Sequence, residues 1–147
     1  MPMLPQNRTI VGDLEQGLSS LGLGRFDLII HFGVLYHLQD WKSSLVDCVG
    51  MTNYLALETE VCDSDDPSFE LKLDEAGYDQ AISGVGSRPS AELVEAELRA
   101  CRMALTRLDD NRCNANIHVY DWPVKNTGRW VSGQRRMWFC GREAVRP

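Results

Sequence analysis

The segment Phe26-Asp27-Leu28-Ile29-Ile30-His31-Phe32-Gly33-Val34-Leu35-Tyr36-His37-Leu38 most constrains how this chain folds. Phe26 to Ile30 is a short, nearly continuous apolar run with two adjacent β-branched isoleucines. Such a run reads as a strand buried on both faces, as in a parallel α/β sheet. His31-Phe32-Gly33 then falls at the strand's carboxyl end, where open α/β sheets place their ligands. Gly33 permits a sharp turn or a close backbone approach.

Asp40 is placed to cap a helix from Trp41 to Val49, with Trp41, Leu45, Val46 and Val49 as its apolar face and Gly50 as its stop. A second buried strand follows at Tyr54-Leu55-Ala56-Leu57, ending in Glu58-Thr59-Glu60. Glu58 is then either pocket-facing or solvated. Upstream, residues 1–8 read as an irregular leader containing Pro2 and Pro5, and Thr9-Ile10-Val11 as a short strand. Leu14, Leu18 and Leu21 have helical spacing, weakened by Gly17, Gly22 and Gly24.

Cys62 to Pro89 has weak periodicity and reads as a long loop or lid, because long connections in compact domains often cover sites. Within it, Asp63, Asp65 and Asp66 form a solvated acidic turn, since the spacing lacks the glycine and terminal glutamate of a calcium loop. Ser90 caps a helix whose apolar positions are Val94, Leu98, Cys101 and Leu105. Ile117–Tyr120 and Arg135–Cys140 read as an antiparallel pair at a sheet edge. The expected organisation is one partial α/β domain over 1–147, with a strand/helix core (1–60), the loop (61–89), and a helix with the C-terminal strand pair (90–147).

Composition narrows the function. A net charge of −6 opposes broad nucleic-acid binding, which needs clustered Lys and Arg. Arg129, Arg135 and Arg136 are the one local basic cluster, beside Trp122, Trp130 and Trp138. They make either a recognition surface or cation–π packing at the fold edge. No apolar run is long enough to span a membrane, and the start has no signal-peptide core. Five cysteines without a CxxC pair read as reduced thiols of a cytoplasmic protein, and give no zinc-ligand spacing.

The wording FDLIIHFGVLYHL, then a helix, then NYLALETEV resembles a subgroup of the class I S-adenosylmethionine-dependent methyltransferases, around their fourth strand. Glu75-Ala76-Gly77-Tyr78-Asp79-Gln80, Gly86-Ser87-Arg88-Pro89-Ser90 and the ending YDWP…GQRRMWF are similar to the same subgroup. The resemblance implies a Rossmann-like methyltransferase sheet closed by a C-terminal antiparallel strand pair. It implies that Asp13, His31, Phe32 and Gly33 line S-adenosylmethionine, with helix capping as the other reading of Asp13. Tyr36 and His37 would be catalytic, His37 as base, although a lone histidine is as readily a packing residue. Arg88 and Glu58 would face the acceptor, a small or sugar-like molecule. Arg88 equally suits an ion pair with a loop acid.

The resemblance covers only the later half of that fold. The glycine-rich cofactor turn and the acidic end of the second strand have no counterpart here, and Leu21-Gly22-Leu23-Gly24 does not open a helix as such a turn must. A sheet without its first strands exposes apolar faces and unpaired edges. A homodimer is therefore expected, with pairing to a separate N-terminal half, or a place within a longer protein, as the other readings. Two functions follow: a methyltransferase acting on a small acceptor, or a non-catalytic methyltransferase-like oligomerisation or regulatory module.

Overall fold

The computed structural model describes residues 9–77 and 81–144. The expected leader over 1–8, and Tyr78-Asp79-Gln80 of the expected loop, lie outside the described residues. The elements run β1 (Phe26–Phe32), α1 (Trp41–Gly50), β2 (Thr52–Glu60), β3 (Glu70–Asp74), β4 (Val85–Pro89), α2 (Ala91–Ala100), β5 (Met103–Arg107) and β6 (Arg135–Arg142). Single 3-10 turns occupy Leu14–Gln16, Leu18–Leu21, Leu35–His37 and Asn111–Cys113.

β1, α1 and β2 form a parallel β-α-β unit, in register from Phe26 opposite Thr52 to Phe32 opposite Glu58. The sheet continues with antiparallel neighbours, in the order β1-β2-β6-β5. β3 and β4 form a separate hairpin, so the region expected as a long loop carries regular structure of its own. Both caps form as their side chains dictate: Asp40 accepts from Ser43 N at 3.2 Å and Ser90 from Leu93 N at 3.0 Å. Trp41, Leu45, Cys48 and Val49 of α1 and Val94 and Leu98 of α2 pack with Leu55, Leu57, Met103, Trp138 and Cys140 of the sheet in one core. Val46, expected on the apolar face of α1, is half exposed.

The opposite face of the sheet is bare. Phe26, Leu28, Ile30 and Phe32 alternate along β1 as exposed residues, and Tyr54 and Phe139 continue the patch across β2 and β6. Tyr54 and Phe139 stack with ring centroids 6.0 Å apart. The expectation that β1 is buried on both faces therefore fails on one of them. Helices cover a single side of the sheet, and strand alternation places every second side chain on the other.

Other expectations shift for local reasons. The helix expected from Leu14 to Leu21 is broken into two 3-10 turns at Gly17, whose φ of 81° is left-handed. Thr9–Val11 is not a strand. α2 stops at Ala100 because Arg102 turns the chain at φ 58°, so Leu105 lies on β5 and not on the helix. The C-terminal antiparallel pair exists, but β5 is the partner of β6 where Ile117–Tyr120 was expected. β6 has β2 on one edge and β5 on the other, which leaves residues 117–120 only isolated bridges, such as Val119 with Gln134. Asp63 is not solvated: it is buried, and its carboxylate accepts from the backbone of Lys125, Asn126 and Thr127.

Candidate functional site

The carboxyl ends of β1 and β2 meet at Gly33 and Glu58. Gly33 takes a φ of 68°, which favours glycine because a Cβ is strained there. Its N–H donates to the Glu58 carbonyl at 3.2 Å and to Glu58 Oε2 at 2.8 Å. Glu58 also accepts from Arg135 Nη1 at 2.8 Å and from the Tyr120 hydroxyl at 3.3 Å. The chain then turns through Leu35–His37, which carries Tyr36 and His37 side by side.

Those two side chains join a buried ionic network. Arg135 Nη2 donates to the Tyr36 hydroxyl at 3.0 Å, and Arg88 Nη1 to the Tyr36 carbonyl at 2.8 Å. Arg88 Nε donates to Glu60 at 2.8 Å and its Nη2 to Glu75 Oε1 at 2.6 Å. The other oxygen of Glu75 lies 2.9 Å from His37 Nδ1. Trp130 Nε1 donates to Glu60 at 3.0 Å, and the Arg88 guanidinium lies over both Trp130 and Tyr36. Glu58, Glu60, Glu75, Arg88 and Arg135 are all nearly fully buried. Buried charges persist only when each is paired and hydrogen-bonded, as here.

The environment biases protonation. Burial alone would raise Glu75, but hydrogen bonds from His37 and Arg88 and the Arg88 charge outweigh it and hold the carboxyl below its ordinary range. Burial would lower Arg135, yet hydrogen bonds to Glu58 and the Tyr36 hydroxyl raise it instead. Tyr120 is pushed up by burial and by the Glu58 charge. Burial lowers His31.

Two cavities flank the network. One of about 200 Å³ is lined by Gly12, Asp13, Gly33, Val34, His37 and Leu38, among others. The second, about 570 Å³, is lined by Tyr36, Glu60, Glu75, Arg88, Trp130 and Arg135, together with Asp74 and His118. Asp13, 20 residues upstream, thus shares one cavity with Gly33 and His37 of the turn after β1. Asp13 also caps the first 3-10 turn, accepting from Glu15 N at 2.9 Å.

The remaining expected residues separate. His31 and Phe32 are successive on β1, so alternation sends them to opposite faces. His31 is buried on the helix side beside Ser44 and Cys48, and Phe32 is exposed on the bare face. Tyr36 lines the larger cavity and His37 the smaller. Arg88 has its guanidinium committed to the two glutamates and the Tyr36 carbonyl. Glu58 lines neither cavity and instead fixes the Gly33 turn. The basic cluster is not a surface: Arg135 and Arg136 are buried, and Arg136 lies 4.0 Å from the Trp122 ring centroid.

Sequence reading did not single out Glu75, Glu60 or Tyr120, and saw Arg135 only as part of a basic patch. Glu75 sits in a stretch without periodicity, and its partners His37 and Arg88 are 38 and 13 residues away. The one available signal was its place within the EAG segment of the family-like loop.

No protein-family model matches the chain, and no curated protein matches it. Among solved structures, it is similar to the N-terminal domain of EvdMO1 with SAH bound, at 17% identity and a TM-score of 0.61, over 92% of this chain and 53% of that one. It is also similar to the same domain in the presence of SAH and D-fucose, at 17% identity and a TM-score of 0.60, over 90% and 53% of the two chains. The likeness shows the fold: an α/β domain with a mixed parallel and antiparallel sheet. The chain spans about half the length of these neighbours. Among the described residues, no helix is long and apolar enough to cross a membrane.

Proposed function

We propose that this chain supplies the acceptor-side half of an S-adenosylmethionine-dependent methyltransferase site, acting on a small, sugar-like acceptor in the cytoplasm. The observation that carries this reading is the convergence of Asp13, Gly33 and His37 on one cavity at the carboxyl end of β1. The neighbour domains were crystallised with SAH, the demethylated product of that cofactor, one of them in the presence of D-fucose. The site residues partly fit the cofactor: a left-handed glycine gives the backbone a close turn, and an acidic side chain shares its cavity. About 200 Å³ is below the roughly 300–1,000 Å³ of a small-ligand pocket, so these residues hold one end of such a molecule.

When bound, the cofactor supplies an electrophilic methyl group for in-line transfer to an acceptor oxygen or nitrogen. The chain's own contributions are positional and electrostatic. His37 takes the proton that the acceptor atom loses. Tyr36 and Arg88, with Trp130 and the carboxylates of Glu60 and Asp74, line the larger cavity, which suits the hydroxyls and apolar ring face of a sugar whose reacting atom extends past Tyr36 to its neighbour His37 in the smaller one. Glu58 acts through the Gly33 turn it holds.

In this reading the rest of the cofactor site belongs to a strand-and-helix layer docked on β1, carried by a separate half or by a longer form of this chain. β1 offers both a free edge among the described residues and a bare apolar face. A second copy pairing edge to edge leaves that face uncovered, and one packing face to face leaves the edge unpaired. A layer that adds a strand beside β1 and helices over the patch covers both. The same features also fit the alternative, a non-catalytic oligomerisation module, because the chain spans only about half of its structural neighbours.

Calorimetric titration of the chain with S-adenosylmethionine and its demethylated product, with mass by light scattering, tests the proposal. Negligible binding by the chain alone, and micromolar binding once an N-terminal methyltransferase half is added, is the expected result. Micromolar binding by a homodimer replaces the separate half with a second copy. Absence of binding in every combination favours the non-catalytic module.

A further inference from the structure

We propose that Glu75 is the positioning residue that makes His37 a proton acceptor, by fixing its imidazole as the Nδ1–H tautomer. The inference rests on the reading of His37 as the base and identifies what makes it one. Glu75 follows the last residue of β3, and its two oxygens are divided between two partners. Oε1 accepts from Arg88 Nη2 at 2.6 Å, and Oε2 lies 2.9 Å from His37 Nδ1. Arg88 only donates, and an ionised carboxylate only accepts. Arg88 keeps Glu75 ionised by its charge and its hydrogen bond, so His37 Nδ1 must donate and Nε2 retains its lone pair.

The fold reserves space for this arrangement. A Cβ on Gly86 of β4, across the hairpin, would lie 2.5 Å from both Cδ and Oε1 of Glu75. The glycine therefore leaves room for the carboxylate against the strand. On the other side, the Tyr36 ring lies 3.9 Å from the His37 ring, centroid to centroid, and restricts its rotation. His37 itself lines the cavity shared by Asp13 and Gly33. Among the described residues, Nε2 makes no hydrogen bond. The step this serves is balanced within the site: an acceptor O–H or N–H gives its proton to Nε2, its bonding pair stays on the acceptor atom, and the resulting imidazolium faces the Glu75 carboxylate.

The test is the imidazole nitrogen NMR spectrum of the chain at alkaline pH, where imidazoles are neutral. The chain has three histidines, and a His37→Asn spectrum identifies the His37 signals. In water an unconstrained histidine favours the Nε2–H form. The wild-type chain is expected to show His37 as Nδ1–H. Glu75→Gln should invert it: the amide oxygen stays with Arg88, the amide nitrogen then faces Nδ1 and donates to it, and the proton of His37 moves to Nε2. In a methyl-transfer assay of the completed enzyme, the same variant should lose about 10²–10⁴-fold in kcat, with KM little changed.

A wild-type His37 found mainly as Nε2–H overturns the inference, and so does an unchanged tautomer in a folded Glu75→Gln chain. If that variant fails to fold, the wild-type tautomer still decides. The expected tautomer in a chain that transfers no methyl group with any added half overturns the methyltransferase reading and leaves the positioning role of Glu75 standing.

Discussion

Glu58 and Gly33 meet twice: the Gly33 N–H is shared between the backbone carbonyl of Glu58 at 3.2 Å and its side-chain Oε2 at 2.8 Å. One residue at the end of β2 thereby sets both the sheet register and the turn that leaves β1. The carboxylate's remaining capacity is filled by Arg135 and Tyr120, which both donate to it. Glu58→Gln must turn an amide N–H toward one of these donors. The expected loss of stability is about 3 kcal/mol, since a buried charge loses its counterion and a buried donor its acceptor. Urea denaturation measures it, with an unchanged m-value showing that the unfolded state is not the cause.

His37→Ala separates chemistry from binding. In the completed enzyme, turnover should fall about 10²–10⁴-fold, the usual contribution of a positioned base. Affinity for S-adenosylmethionine should change little. Equal losses of turnover and cofactor affinity in kinetics and calorimetry would remove His37 from the role of base.

The bare face predicts a substitution that harms association and not folding. Ile30 is 65% exposed at the middle of β1. Ile30→Lys should leave the stability of the isolated chain within about 0.5 kcal/mol, as surface changes usually do. It should abolish capture of an added N-terminal half, because a buried lysine at that contact has no partner among the aromatic and aliphatic side chains around it. Chemical denaturation and light scattering of the mixture check the two parts.

Acid should destabilise the chain in two stages. Burial lowers His31, so its contribution is complete above its unfolded value of roughly 6.5 and is lost as pH falls through the lower folded value. Burial would raise Asp63, Glu75 and Glu95, but their hydrogen bonds outweigh it and lower all three. Those contributions are complete above the unfolded carboxylate values of roughly 4 to 4.5 and are lost progressively as pH falls through the lower folded values. Thermal melts across this range should show both stages, and His31→Leu should remove only the upper one.

Local order was legible in the sequence wherever a residue acts on its immediate neighbours. Asp40 and Ser90 cap the helices they announce, the Phe26 strand and the Tyr54 strand form a parallel pair around α1, and Gly33 supplies the left-handed turn at the strand end. These follow from side-chain hydrogen bonding to nearby backbone, from apolar periodicity and from the steric freedom of glycine. Leu105 shows the limit of that logic. Its spacing continues the helical pattern of Val94 and Leu98, yet the left-handed turn at Arg102 carries it into β5 beside β6.

The pairing of charges was decided by tertiary structure alone. Arg88 read as an acceptor-facing cation or the partner of some loop acid, and Glu75 only as the first residue of a family-like loop segment, so neither its own partner nor that of His37 was specified. Only the β3–β4 hairpin folding against the Leu35–His37 turn brings Glu75 between Arg88 and His37. Likewise, only the placement of both helices on one side of the sheet exposes the alternate face of β1. Periodicity and capping act over a few residues and are written in the chain. Ion pairs across 38 residues, and the choice of which sheet face is covered, depend on how the finished elements pack.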